Sequence, residues 1–134
     1  MPILGIGVDI LYLPRLINLL NRRGSEAFAT KILSSQELRT FQLLAEQHGE
    51  DKTAKITQFL GVRWAVKEAA YKALYPIRPT WKEVTYSSFN GATGVKPTLV
   101  YRPVHDDVGP ANKLHVSVSH DGDYVYAQVI MEST

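Results

Sequence analysis

Cysteine is absent from the 134 residues. Disulfides and thiolate metal sites are therefore excluded, and any metal must take oxygen or imidazole donors. No apolar run approaches the roughly 20 residues that span a bilayer, so no association with a membrane is expected. There is no Walker-type glycine-rich lysine loop and no G-x-G-x-x-G, so the common nucleotide-binding folds are not indicated. Charge of one sign is also scarce, with 15 Lys and Arg against 13 Asp and Glu. That near balance disfavours a nucleic-acid-binding domain, which needs a basic stripe with interleaved aromatics. A net charge of +2 suits an anionic ligand or an acidic partner. Repeats and low-complexity tracts are missing. The first apolar run begins at Ile3, with no signal or transit peptide read ahead of it. The expected location is intracellular, in the cytoplasm or the mitochondrial matrix.

What remains is ordinary globular material, 45% hydrophobic and 21% charged. It is read as a single domain over 1–134, long enough to bury roughly two-thirds of its unfolded surface.

Residues 3–10 alternate as a strand. Leu4, Ile6, Val8 and Ile10 are expected to face the core, leaving Ile3, Gly5, Gly7 and Asp9 on the other side. Glycines inside a strand mark close approach of a ligand or another backbone, or else a bulge, so bare backbone beside Asp9 is a candidate site. A first helix begins near Pro14 and closes at Gly24 after Arg22 and Arg23. Arg15, at its start, opposes the helix dipole and is a candidate contact for something acidic. A second helix opens with a capping box, Ser34 with Glu37, and ends at Gly49. A charged connection at 50–55 precedes a third helix, predicted from about Thr57 to Tyr75. The chain then turns to β. One strand is expected from Trp81 to Phe89 with a turn at Asn90-Gly91, and a short one from Pro97 to Tyr101. A loop or irregular crossover follows at 102–112. The last feature is a hairpin, 114–120 and 124–131, about an Asp121-Gly122 turn. His120 ends its apolar face, with Ser117 and Ser119 on the opposite one.

The third helix carries the densest chemistry. Glu68 and Lys72 lie four residues apart on one face. With Asp9 they make two carboxylates and a lysine, a set that suits magnesium, which takes one or two carboxylates and completes its shell with waters and phosphate oxygens. Arg63 supplies a second cation for phosphate. At about 100° per residue it lies nearly opposite Lys72, sharing another face with Lys67. An elongated ligand with several phosphates, or a site shared between chains, would reconcile the two faces. The residues alone point to a magnesium-dependent site for a phosphorylated ligand.

Several segments together resemble the holo-acyl-carrier-protein synthase family, the small phosphopantetheinyl transferases. They are Gly5-Ile6-Gly7-Val8-Asp9-Ile10 with Arg15, Ile32-Leu33-Ser34 with Glu37, and Phe59-Leu60 through Arg63-Trp64-Ala65-Val66-Lys67-Glu68-Ala69 to Lys72-Ala73-Leu74. Trp81-x-Glu83-Val84, Gly94 with Pro97, and Val116-Ser117-Val118-Ser119-His120 follow in the family's order. The resemblance covers nearly the whole chain. It implies an α+β fold with an antiparallel sheet and three main helices. It also implies an enzyme that moves 4'-phosphopantetheine from coenzyme A to a serine of an apo acyl carrier protein, releasing adenosine bisphosphate. Asp9 and Glu68 would hold magnesium, and Glu68, directly or through a metal-held water, would take the serine proton. Lys72 would meet a coenzyme phosphate. Arg63, His120 and Ser119 would hold the adenosine end, and Arg15 with the first helix would meet the carrier. A homotrimer with sites between subunits is implied as well.

Two departures stand out. Where the family commonly has a glycine-rich turn after the central helix, this chain has Tyr75-Pro76-Ile77-Arg78-Pro79-Thr80, and Asp121 stands where a small hydroxyl residue is common. A non-catalytic binder of coenzyme A or nucleotide is the rival reading. It has no need of the Asp9 and Glu68 pair.

Overall fold

The structure, a computed structural model, describes residues 2–88, 90–104 and 112–134. Phe89 and most of the expected 102–112 crossover lie outside those residues. The chain runs β1 (Ile3–Tyr12), α1 (Leu13–Arg23), α2 (Ser25–Ile32), α3 (Ser35–Ala45) and α4 (Lys52–Leu74). A 3-10 turn (Trp81–Glu83) leads into β2 (Val84–Ser87), β3 (Thr98–Tyr101), β4 (Asn112–Asp121) and β5 (Tyr124–Ser133). Strands β1, β5 and β4 form one antiparallel sheet in that order, and β2 and β3 a second. The α+β class holds, with four helices among the described residues rather than three main ones. The additional helix, α2, has only eight residues, too short to display a period. It buries Phe28, Ala29 and Ile32.

Helix α4 begins earlier than expected. The charged stretch near its start is helical from Lys52, where Lys55 reaches back 3.3 Å to Asp51. Helix α3 begins where the capping box places it, with Ser34 N donating to Glu37 Oε1 at 2.9 Å and Ser34 Oγ accepting from Glu37 N. Trp81 to Glu83 form a 3-10 turn instead of the start of a strand. The terminal hairpin pairs Asp121 with Tyr124, so its two loop residues are Gly122 and Asp123. Gly122 alone has positive φ, at 55°. Glycine first in a two-residue loop fits type II′ better than I′.

The faces of β1 are the reverse of the expectation. Ile6 and Ile10 are 59% and 62% exposed, with Leu4 and Val8 open beside them. The glycine face is the covered one. A Cβ on Gly5 would lie 2.0 Å from the Ala73 carbonyl oxygen, and one on Gly7 would lie 2.0 Å from that of Ala69. Helix α4 thus crosses β1 backbone to backbone, and the space the glycines leave is filled by the helix rather than by an approaching anion. Ala65, Ala69 and Ala73 are fully buried along that crossing, with Leu11, Val125, Ala127 and Val129 opposite. Small residues on both sides permit the close approach.

Candidate active site

The crossing of β1 and α4 brings Asp9 to Glu68 and Lys72. Asp9 is the next inward residue after Gly5 and Gly7, opposite Ala127 in the ladder. Lys72 Nζ donates to the Val8 carbonyl at 2.8 Å and lies 3.7 Å from Asp9 Oδ1. Burial raises the Asp9 carboxyl above its usual range. Lys72 pulls it back down, and the negative charge of Glu68 pushes it up. Among the described residues Glu68 makes no hydrogen bond or ion pair. Two carboxylates repelling each other, one with no donor of its own, form a set that a divalent cation would neutralise. No group of three or more His, Asp or Glu able to hold a metal occurs among the described residues. A hard cation here would complete its shell with water or ligand oxygens, as magnesium does.

A cavity of about 400 Å³ opens beside Glu68, walled by Lys67 and Tyr71 of α4 on one side and by Pro79, Thr80, Trp81 and Val84 on the other. Its walls are mostly apolar. Arg15, exposed at the start of α1, sets its guanidinium 5.4 Å from the Trp64 ring, and its charge is felt at Asp9. Arg15 therefore stands on the same side of the molecule as the carboxylates.

The remaining candidates are elsewhere. Arg63, 7% exposed, stacks 3.7 Å over Phe59 and 5.1 Å from Tyr86, and its Nη1 donates to the Phe59 carbonyl. Burial lowers its pKa, and the charge of Glu37 opposes that shift. Its buried Nε has no partner among the described residues. It borders a second cavity, of about 390 Å³, with Thr40, Thr85, Ser87, Ser88 and Asn90. His120 shares the inner sheet face with Asp9, but it lies on β4 with β5 between them. Ser119 points to the outer face, because successive strand residues alternate. Arg78 lies 5.7 Å over the Tyr75 ring, and Asp121 is exposed in the ladder at the hairpin end.

Sequence reasoning missed one constellation. Lys67 and Glu37 form a 2.6 Å ion pair with both side chains 2% exposed. From the sequence Glu37 reads as a local cap and as part of one resembling segment, with no partner on the long helix. The signal available was Lys67 itself, a lysine on the Arg63 face of a helix rich in alanine.

Four similarities to known proteins accompany this geometry. Residues 5–129 match the 4'-phosphopantetheinyl transferase superfamily. The chain is 36% identical to the holo-[acyl-carrier-protein] synthase of Vibrio parahaemolyticus over 99% of its own length and 100% of the relative's. It is 34% identical to 4'-phosphopantetheinyl transferase B, mitochondrial, of Aspergillus fumigatus, over 95% and 92%. A crystal structure of a holo-(acyl-carrier-protein) synthase from Bacillus anthracis, in complex with CoA (3',5'-ADP), superposes with a TM-score of 0.71 at 27% identity, covering 98% of each chain.

Proposed function

The chain belongs to the holo-acyl-carrier-protein synthase family and is a phosphopantetheinyl transferase, and on that premise we propose a magnesium-dependent reaction at Asp9 and Glu68. The observation that carries the proposal is the convergence of Asp9, Glu68 and Lys72 where β1 crosses α4. The donor is coenzyme A and the acceptor a serine hydroxyl of an apo acyl carrier protein. The serine oxygen attacks the phosphorus nearer the pantetheine, the bond to adenosine bisphosphate breaks, and adenosine bisphosphate leaves.

Asp9 and Glu68 would hold magnesium, which when bound supplies positive charge against the charge developing on the phosphate oxygens. Glu68, free of other donors, takes the serine proton. Lys72 gives up part of its contact with Asp9 to meet a coenzyme phosphate as a point charge. The transferred arm runs into the cavity between Tyr71 and Trp81. Arg15 and α1 receive acidic residues of the carrier.

Arg63 is buried on the far side of α4 from Lys72, so one chain cannot offer both to the same coenzyme. A homotrimer with shared sites answers this: Arg63, His120 and Ser119 of a neighbouring chain would hold the adenosine end. Support comes from the polar cavity at Arg63 with its unpartnered Nε. The outer sheet face adds to it, since Ile6, Ile10, Tyr12, Tyr124 and Tyr126 are all exposed in a patch that invites burial. The setting would be the cytoplasm or the mitochondrial matrix. No helix among the described residues is long and apolar enough to cross a membrane. Mass spectrometry of an apo carrier protein incubated with the chain, coenzyme A and magnesium tests the proposal. The added mass of phosphopantetheine supports it, and no addition across several carriers returns the chain to a binding role.

A further inference from the structure

Lys67 precedes Glu68 in the sequence and borders the same cavity, yet it has no capacity left for a ligand. Its ammonium donates to the Ile32 carbonyl at 2.7 Å, to Glu37 Oε1 at 2.6 Å and to the Trp81 carbonyl at 2.9 Å. Three donors meet three acceptors. Glu37 is equally committed. Oε1 also accepts from Ser34 N at 2.9 Å, and Oε2 accepts from Tyr86 N at 2.9 Å. Burying such a pair is a poor route to stability, since apolar side chains of equal volume often do as well or better. What the pair does uniquely is geometric.

The cavity beside Glu68 has two walls. One is α4. The other is the segment from Pro79 to Val84. It is braced internally, where Thr80 N and Oγ1 both donate to Glu83 Oε1 at 2.8 and 2.9 Å. It is also tied outward to the residues just after β3 and to α2, where Arg102 N donates to the Glu83 carbonyl, Val104 N to Glu83 Oε2 and Lys82 Nζ to the Thr30 carbonyl. The Lys67 bond to the Trp81 carbonyl crosses from one wall to the other. It originates one residue from Glu68, so it fixes where Trp81 stands relative to that carboxylate.

We propose that Lys67, anchored by Glu37, is a positioning residue for transfer. By holding the Trp81 carbonyl it sets the width of the cavity against Glu68, and with it the placement of the transferred arm. This rests on the reading of the Glu68 cavity given above. With all three of its donors engaged, the Lys67 ammonium has no hydrogen bond to offer donor or acceptor. It acts through the wall it holds, and a wall displaced by about 1 Å is enough to cost on the order of 100-fold in rate.

The test separates positioning from charge balance. Lys67→Met alone leaves the Glu37 charge buried without its cation, and both melting temperature and rate fall. The pair Glu37→Gln with Lys67→Met removes both charges, so the melting temperature recovers most of its loss. The Trp81 carbonyl remains untethered, and kcat is expected to stay about 10- to 100-fold low, with KM for the carrier protein little changed. Recovery of kcat along with the melting temperature would overturn the proposal. If the pair variant does not fold, Pro79→Gly loosens the same wall without touching the ion pair. It should lower kcat in the same direction, and an unchanged kcat also overturns the proposal. A wild-type chain that transfers nothing to any carrier sinks the functional reading and this inference together. A wild type that transfers, with a pair variant that keeps pace, sinks this inference alone.

Discussion

Gly7 lies under Ala69 so closely that a single added carbon would sit 2.0 Å from the Ala69 carbonyl oxygen. The obstacle is helix backbone, which cannot rotate aside as a side chain can. Gly7→Ala should therefore destabilise the fold by about 3 kcal/mol or more, the upper end of overpacking costs. Denaturant titration measures this. Because the same crossing sets Lys72 against Asp9, any Gly7→Ala protein that folds should also transfer more slowly. A stability change under about 1 kcal/mol would mean that the helix can lift off the strand cheaply.

Asp9→Asn should separate activity from stability. Burial and Glu68 hold the Asp9 carboxyl above its ordinary value of 3.8, against the opposing pull of Lys72. Between 3.8 and that raised value the folded chain binds more proton than the unfolded one. The contribution of this group is fully present below 3.8 and is lost as pH rises through the folded value. Asn carries no such loss. In the presence of a chelator, Asp9→Asn should melt no lower than wild type at neutral pH, and its melting temperature should fall less as pH rises from the acid side. Transfer should drop at least about 100-fold.

Arg15→Glu should raise KM for the carrier protein while leaving KM for coenzyme A nearly unchanged. Wild-type kcat/KM for the carrier should fall with added salt, and that of the variant should depend on salt much less. Steady-state kinetics varying each substrate reads both. An equal effect on the two substrates would place Arg15 at the coenzyme instead.

Ile6→Lys puts a charge on the outer sheet face, on the edge strand β1. If that face joins copies of the chain, sedimentation should show assembled material giving way to monomer. Transfer should fall at least about tenfold, because Arg63 and His120 would no longer reach a neighbour's site. A monomeric wild type of full activity would remove the shared-site explanation for Arg63.

Much of this was legible from residues alone, where the signal is local. The Ser34 and Glu37 cap, the closing hairpin and the i,i+4 relation of Glu68 and Lys72 depend on neighbours in the chain. The faces of β1 are not legible in this way, because alternation says which residues share a side and not which side is covered. Apolar side chains point to a core face, whereas here the glycines mark the deeper contact, since only they admit a helix backbone. The small helix α2 escaped because eight residues span little more than two turns. The closure of Lys67 on Glu37 joins residues 30 apart in sequence, and Arg63 is covered from one side by Tyr86 of β2; neither periodicity nor motif spacing encodes such meetings.

The doubly engaged Glu37 has a consequence for how the molecule comes apart. One carboxylate terminates α3 through Ser34, anchors α4 through Lys67 and receives the Tyr86 amide of β2. Parting α4 from α3 strands the two buried charges, and withdrawing β2 leaves the Tyr86 amide and Glu37 Oε2 without each other. The start of α3, the middle of α4 and β2 should therefore open as one cooperative unit. The amide protons of Ser34 and Tyr86, distant in sequence, should exchange with solvent at a common opening free energy.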